Sequence, residues 1–136
     1  MTLSVVLSLL VVVQPAAAGQ TATARADVST LAAPSCPSGS FCIWPVADHS
    51  SSRCSWSNAD ADWRSAPVVC SWAATRPVRY VYNHGTSTAY GGVCLYTGAN
   101  YTSPSDYDPR GSYYEIGGGG EYFRSHRWVS NIDACG

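Results

Sequence analysis

Six cysteines, all placed after Pro34, constrain this chain more than any other feature of its sequence. They follow an apolar run at residues 3–13 that is too short to cross a bilayer as a helix. An even number of cysteines behind such a run indicates disulfides formed in an oxidising compartment. The sequence therefore predicts a small secreted domain whose modest core is reinforced by cross-links. The cysteines are Cys36, Cys42, Cys54, Cys70, Cys94 and Cys135.

Six cysteines allow about 15 pairings, and the sequence alone does not select one of them. Among these we favour the local pairing Cys36–Cys42, Cys54–Cys70 and Cys94–Cys135, because the first two loops are short. A zinc site is the weaker alternative. No Cys-x-x-Cys pair occurs, and the histidines do not accompany the cysteines at the spacing of a zinc finger.

The N-terminal third is typical of a targeting segment. Small alanines between residues 16 and 24 suit a signal peptidase, although the usual basic residue before the apolar run is absent. A buried core helix is the alternative interpretation of that run. We expect a signal peptide over residues 1–24, a linker over residues 25–35 and one folded domain over residues 36–136.

The folded region contains an internal match. Residues 42–51 align without a gap with residues 94–103, and residues 79–83 align with residues 127–131. The match divides the domain into two repeats, at about residues 36–85 and 88–136. Short segments rich in aromatic and β-branched residues, separated by turn formers, predict an all-β, two-sheet sandwich with Greek-key connections. The predicted strands cover residues 41–44, 78–82, 93–96 and 127–129.

The segment Cys36-Pro-Ser-Gly-Ser-Phe-Cys42-Ile-Trp44 resembles the opening of the actinobacterial (Streptomyces-type) metalloproteinase-inhibitor family. The similarity continues through residues 63–65, 70–72, 79–85 and 125–130. The resemblance implies a βγ-crystallin-like fold and a role as a peptidase inhibitor. In crystallin Greek keys a glycine stands two residues after the second aromatic residue. Ser51 and Ser103 take that place here, which makes the hairpin fold over less freely.

Catalytic motifs are absent from the sequence, so we expect a protein that is not an enzyme. It contains neither a Gly-x-Ser-x-Gly elbow nor a His-Glu-x-x-His pair. His49 aligns with Tyr101 of the other repeat, which indicates a structural role for the histidine.

Charge and ligand chemistry exclude several partners. The net charge is −1 and the arginines form no cluster, so neither a nucleic acid nor a membrane surface is an expected partner. The pairs Asp60/Asp62 and Asp106/Asp108 are weak calcium candidates, and solvated loop acids are the more ordinary interpretation. We expect neither a cofactor nor a metal.

Five tyrosines lie among Gly, Ser, Pro and Asp, where burial in a strand is less expected. Rigid amphipathic rings on loops suit recognition of a protein or a sugar, and plain packing is the equal alternative. These candidate binding residues are Tyr101, Tyr107, Tyr113, Tyr114 and Tyr122.

Two functions fit the sequence. The first is a secreted, monomeric inhibitor that presents a disulfide-constrained loop to the cleft of an extracellular metallopeptidase. Residues 73–76 and 98–111 are the loops in which we first expect the reactive bond. The alternative is a non-inhibitory module that binds cell-wall glycan or a protein partner, or a killer-toxin-like antimicrobial protein.

Overall fold

The computed structural model describes residues 32–136, and residues 33–136 form one unit. The predicted signal peptide and most of the predicted linker lie outside the described residues. Within the described range no helix is long and apolar enough to cross a membrane. Two short 3-10 helices cover Ser71–Ala74 and Ile132–Cys135. The strands are β1 (Phe41–Trp44), β2 (Cys54–Trp56), β3 (Tyr80–Asn83), β4 (Gly92–Tyr96), β5 (Pro104–Pro109), β6 (Tyr113–Glu115) and β7 (Ser125–Val129).

The strands form two antiparallel sheets, which confirms the predicted all-β class. The first sheet has the order β2-β1-β3-β6 and the second has the order β5-β4-β7. In the first sheet Ile43 of β1 lies opposite both Cys54 and Val81. In the second sheet Leu95 of β4 lies opposite both Asp106 and His126.

Each sheet also receives chain from the other half of the sequence. β6 pairs with β3, so that Tyr114 lies opposite Val81. In the other direction, Asp60 forms an isolated bridge with His126 of β7, through two backbone hydrogen bonds of 3.0 Å. This exchange joins the two halves through the backbone as well as through the core.

The core lies between the sheets because alternate residues of the strands face inward. Phe41 and Ile43 of β1 share one buried cluster with Val93 and Leu95 of β4, and all four side chains are fully buried. Burial of an aliphatic or aromatic side chain contributes about 1.5–3 kcal/mol. The intervening residues of these strands pack in two smaller clusters, around Trp44 and around Tyr96.

Three disulfides cross-link the domain. They join Cys36 to Cys42, Cys54 to Cys70 and Cys94 to Cys135, with Cα–Cα distances of 5.9, 5.8 and 5.5 Å. The local pairing favoured from the sequence is therefore confirmed.

Part of the predicted loop over residues 98–111 is wrong. Pro104–Pro109 forms the edge strand β5, and Asp108 within it is fully buried. The prediction failed because two of the six residues of β5 are prolines and two are aspartates, and both residue types are uncommon in strands. An edge strand tolerates proline since one side of its backbone needs no sheet partner.

Candidate functional site

One surface segment, residues 64–69, is exposed along its whole length and ends at two buried residues. Trp63 before it is 0% exposed, and Cys70 after it is 1% exposed. The Cys70 amide donates a hydrogen bond of 2.8 Å to the Trp63 carbonyl, which closes the mouth of the segment. We call this segment the 64–69 loop. Its residues are Arg64, Ser65, Ala66, Pro67, Val68 and Val69.

The C-terminal end of the 64–69 loop is fixed by a covalent bond. Cys70 forms its disulfide with Cys54, the first residue of β2. The Cys70 carbonyl then accepts a hydrogen bond of 3.1 Å from the Ala73 amide at the start of a 3-10 helix. The loop therefore cannot move at this end without moving a strand of the first sheet.

The N-terminal end is fixed by the indole of Trp63. Its ring stacks on Trp56 at a centroid distance of 4.9 Å and an interplanar angle of 24°. The indole Nε1–H donates to His126 Nδ1 at 2.9 Å. The Trp63 amide donates to the Arg124 carbonyl at 2.9 Å, so both side chain and backbone hold this residue.

His126 supports Trp63 from inside the domain. Because its Nδ1 accepts from Trp63, its Nε2 carries the proton and donates to the Asn58 carbonyl at 3.1 Å. Complete burial lowers the pKa of His126 to about 3. The imidazole is therefore neutral at neutral pH, and its two nitrogens are both used by the fold.

Asp62 fixes the first turn of the 64–69 loop. Its carboxylate accepts two hydrogen bonds from the Arg124 guanidinium, at 3.0 and 2.9 Å, and one of 3.1 Å from the Arg64 amide. The hydrogen bonds from Arg124 lower the pKa of Asp62 to about 2. The carboxylate is therefore ionised over the whole ordinary pH range.

The exposed residues of the 64–69 loop include two adjacent aliphatic side chains. Val68 is 38% exposed and Val69 is 57% exposed, although an exposed valine costs the chain favourable burial. A fixed loop with an aliphatic end can fill an apolar pocket on another protein without losing much conformational entropy. Such a loop can bind a partner, but it contains no group arranged for catalysis.

Comparison with known protein families shows the family of this chain. The model of peptidase inhibitor family I36 matches residues 29–107, which is more than half of the 136 residues. This chain belongs to peptidase inhibitor family I36. The match includes the 64–69 loop and both of its buried ends. No curated protein and no solved structure matches the chain.

Membership of family I36 makes this chain a non-enzyme protein whose partner is a peptidase. The matched region ends within β5, so β6 and β7 lie beyond it. Both Arg124 and His126, which hold the start of the 64–69 loop, belong to that later region.

The five tyrosines proposed from the sequence pack in different parts of this I36 inhibitor. Tyr101 and Tyr107 lie against the cluster around Tyr96, and Tyr114 lies against the main core. Tyr113 and Tyr122 are 41% and 52% exposed. The rings therefore pack against different parts of the domain, and a binding role for the five tyrosines stays a prediction.

Asp60 and Asp62, a calcium candidate from the sequence, are both used by protein donors. Asp60 accepts from the Trp56 indole at 2.8 Å and from the Asp62 amide at 2.9 Å, and Asp62 pairs with Arg124. Within residues 32–136 no three acidic, histidine or cysteine side chains are grouped as metal ligands.

The second calcium candidate, Asp106 and Asp108, lies on β5. Asp106 accepts a hydrogen bond of 3.0 Å from the Tyr114 hydroxyl, and Asp108 accepts one from Ser112. Burial raises the pKa of Asp108 to about 8, so this carboxyl is protonated at neutral pH. A neutral, buried carboxyl is a poor ligand for a hard cation.

Neither loop expected to hold the reactive bond has the properties of the 64–69 loop. Ser71–Ala74 is a 3-10 helix, which occupies half of the predicted loop at residues 73–76. Residues 98–102 form a tight turn in which the Gly98 amide donates to the Thr102 carbonyl at 3.0 Å. The sequence signal that we missed is the pair Val68 and Val69 in a polar stretch directly before a cysteine.

Proposed function

We propose that this I36 protein inhibits an extracellular metallopeptidase by placing the 64–69 loop in its active-site cleft. The observation that supports the proposal is the six-residue exposed segment between two buried, hydrogen-bonded ends. The peptidase partner follows from the family, and the metallopeptidase class follows from the sequence resemblance described above.

The two fixed ends of the loop favour binding, because they limit the conformations that the loop can adopt in the free protein. A loop that is already ordered loses less entropy on association than a flexible one. Val68 or Val69 would enter an apolar specificity pocket, and a backbone carbonyl of the loop would approach the catalytic zinc. The disulfide at Cys70 would hold both sides of the loop in place even if the peptidase cut it.

We also propose that the chain is secreted and processed. Residues 1–24 act as a signal peptide and residues 25–35 as a linker, and the mature domain acts outside the cell as a monomer. Support comes from the three disulfides, which are typical of proteins that fold in an oxidising compartment.

We further propose that the sandwich consists of two βγ-crystallin-like Greek-key repeats. Support comes from one pair of packed rings in each repeat, which we call the corner of that repeat. The His49 ring lies against Trp44 at 6.0 Å and 64°, and the Tyr101 ring lies against Tyr96 at 5.8 Å and 64°. His49 and Tyr101 occupy matching positions of the repeat and both have positive φ angles, of 45° and 60°.

Inhibition of a thermolysin-like peptidase by the purified, disulfide-bonded protein tests the proposal. The variant Val69→Asp places a charge where an apolar pocket is expected, and its inhibition constant should rise about tenfold or more, which is about 1.4 kcal/mol. Ile132→Asp is the matched control, because Ile132 is 60% exposed and lies in the C-terminal 3-10 helix. Equal potency of the wild type and Val69→Asp, or an equal loss in both variants, would contradict the proposal.

A further inference from the structure

We propose that a groove at one end of the sandwich is a second binding site, for a saccharide that contains a carboxylate. The groove is small, at about 90 Å³, below the range of about 300–1,000 Å³ found for ligand pockets, so it has room for a single sugar ring and not for a whole oligosaccharide. The side chains that the argument uses are Ser57, Thr86, Ser87, Tyr90, Arg110 and Trp128.

Two aromatic rings form the apolar wall of the groove. Tyr90 is 43% exposed, and its ring centroid lies 6.2 Å from that of Trp128, with 38° between the planes. The Trp128 ring packs closely on Gly85, where a Cβ atom would lie only 2.5 Å from Trp128 Cζ3. The wall is thus already formed, and an amphipathic ring of this kind can lie against the apolar face of a sugar ring.

Arg110 supplies a fixed positive charge beside that wall. Its amide donates to the Gly91 carbonyl at 2.8 Å, and its Nη1 donates to the Ser87 carbonyl at 2.7 Å. Within residues 32–136 no carboxylate lies within ion-pair distance of this guanidinium. A guanidinium that is already oriented and has further N–H groups is suited to bind a carboxylate through two parallel hydrogen bonds.

The rest of the groove favours a sugar as the owner of that carboxylate. Ser57, Thr86 and Ser87 line the groove, and a hydroxyl group can both donate to and accept from a sugar hydroxyl. The Ser57 and Ser87 hydroxyls each accept one hydrogen bond within the protein, from the Asn58 side chain at 3.4 Å and the Ala89 amide at 3.3 Å, and keep their O–H for donation. A peptide that ends in phenylalanine could also place a carboxylate on Arg110, but its side chain has no polar group to offer the hydroxyls of Ser57, Thr86 and Ser87. An acidic pyranose uses the aromatic wall, the cation and the hydroxyls together.

The groove is separate from the 64–69 loop, although the two are neighbours. Ser57 also lines a second hollow, whose other wall includes Pro67 and Val68. Tyr90 and Arg110 do not line that hollow. Substitutions at these two positions therefore test the groove without changing the loop.

Titration of the purified, disulfide-bonded protein, followed by calorimetry and by amide chemical shifts, tests this site. The probes are digalacturonate and N-acetylmuramic acid, with galactose and N-acetylglucosamine as neutral counterparts. We expect the acidic sugars to bind with a dissociation constant of about 1 mM or lower and to shift the amides of Tyr90 and Arg110. Preference between the two acidic probes distinguishes a plant-type polysaccharide from a cell-wall source, and binding of either one supports the proposal.

Variants of the groove residues test which side chains bind the saccharide. Tyr90→Ala and Arg110→Gln should each weaken binding about tenfold or more. Ile132→Ala is the control for the first, because Ile132 is 60% exposed and does not line the groove. Arg53→Gln is the control for the second, because Arg53 also donates to a backbone carbonyl, that of Ser35 at 2.6 Å. Both controls should bind like the wild type.

Several results would overturn the proposal. They are equal binding of neutral and acidic sugars, no binding of any of them at about ten times the expected dissociation constant, and tighter binding of a short peptide that ends in phenylalanine. An equal loss of binding in the control variants would also do so. Tyr90→Ala should inhibit the peptidase as well as the wild type does. A failure of the saccharide proposal would therefore not count against the proposed inhibition by the 64–69 loop.

Discussion

The Cys70 amide donates a hydrogen bond of 2.8 Å to the Trp63 carbonyl, so the chain leaves the core and returns to it at neighbouring points. Six exposed residues lie between these two positions. The disulfide to Cys54 holds one side of this closure, and stacking on Trp56 holds the other. The 64–69 loop is thus attached on both sides to the same strand, β2, because Cys54 and Trp56 are its first and last residues.

Removal of the Cys54–Cys70 disulfide tests this attachment. The double variant Cys54→Ala/Cys70→Ala should lose about 3 kcal/mol of unfolding free energy, since the bridge closes a loop of about 15 residues. Its 64–69 loop should also become a substrate, because a flexible loop fits a peptidase cleft without staying in it. Denaturant unfolding and digestion by a thermolysin-like peptidase measure the two effects.

The control is Cys36→Ala/Cys42→Ala, which removes a bridge between residues only six apart. It should lose about 2 kcal/mol, because a shorter loop restricts the unfolded chain less, and it should keep its inhibition constant. Equal loss of potency in the two double variants would show that the disulfide at the loop has no special role.

Asp108 should make the domain less stable as the pH rises towards 8. Burial raises the pKa of Asp108 from 3.8 to about 8, so the folded state keeps a proton that the unfolded state releases above pH 3.8. Its contribution is therefore complete below pH 3.8 and is lost as the pH rises through 8. Between pH 6.5 and 8 the wild type should lose stability with a slope of up to about 1.4 kcal/mol per pH unit, and Asp108→Asn should not. Urea unfolding at a series of pH values measures the slopes.

His126 should produce the opposite dependence at lower pH. Burial lowers its pKa from 6.5 to about 3, so the unfolded state takes up a proton below pH 6.5 that the folded state refuses. Its contribution is complete above pH 6.5 and is lost as the pH falls through 3. Between pH 3.8 and 6.5 the free energy of unfolding therefore receives two opposite pH dependences in the wild type. The contribution of His126 rises with pH, and that of Asp108 falls.

The same unfolding series therefore separates the contribution of His126 to the pH dependence of stability from that of Asp108. The wild type should change little between pH 3.8 and 6.5, whereas Asp108→Asn should lose stability as the pH falls, because only the His126 slope remains. Parallel curves for the two proteins in this range would contradict the opposition of the two buried groups.

Tyr101 should tolerate glycine better than alanine. Both substitutions remove the ring that packs on Tyr96 and lies 5.5 Å from the Arg127 guanidinium carbon. Glycine also relieves the left-handed backbone, since φ is 60° at this position. Tyr101→Gly should therefore be about 1 kcal/mol more stable than Tyr101→Ala in thermal or denaturant unfolding.

Tyr107 is the matched control for this prediction. It packs against the same cluster but lies in the extended strand β5. There glycine should be about 0.5–1 kcal/mol less stable than alanine. The same order of stability at both positions would contradict the proposed corner.

Local patterns in the sequence were enough to predict some elements. Phe41–Trp44 was predicted because its four residues are apolar and strand-forming, and the structure buries all four. The disulfides were predicted because short loops close easily. β5 was not predicted, because its polar residues gain their places only from pairing with β4.

The 64–69 loop could not be predicted from local patterns, because distant residues define it. Arg124 lies 62 residues from Asp62, and His126 lies 63 residues from Trp63. Without these contacts the stretch is only a polar segment with two valines. The tyrosines after residue 100 illustrate the same limit, since Tyr114 packs against the core in spite of its glycine-rich surroundings.

Amide hydrogen exchange in a complex with a thermolysin-like peptidase tests the central claim most directly. The amides of residues 66, 68 and 69 lie in the exposed loop and should exchange fast in the free protein. We expect them to slow strongly in the complex, while the amides of the exposed residues Ile132 and Asp133 keep their rates. Protection confined to residues 73–76 or 98–111, with fast exchange retained in the 64–69 loop, would contradict it.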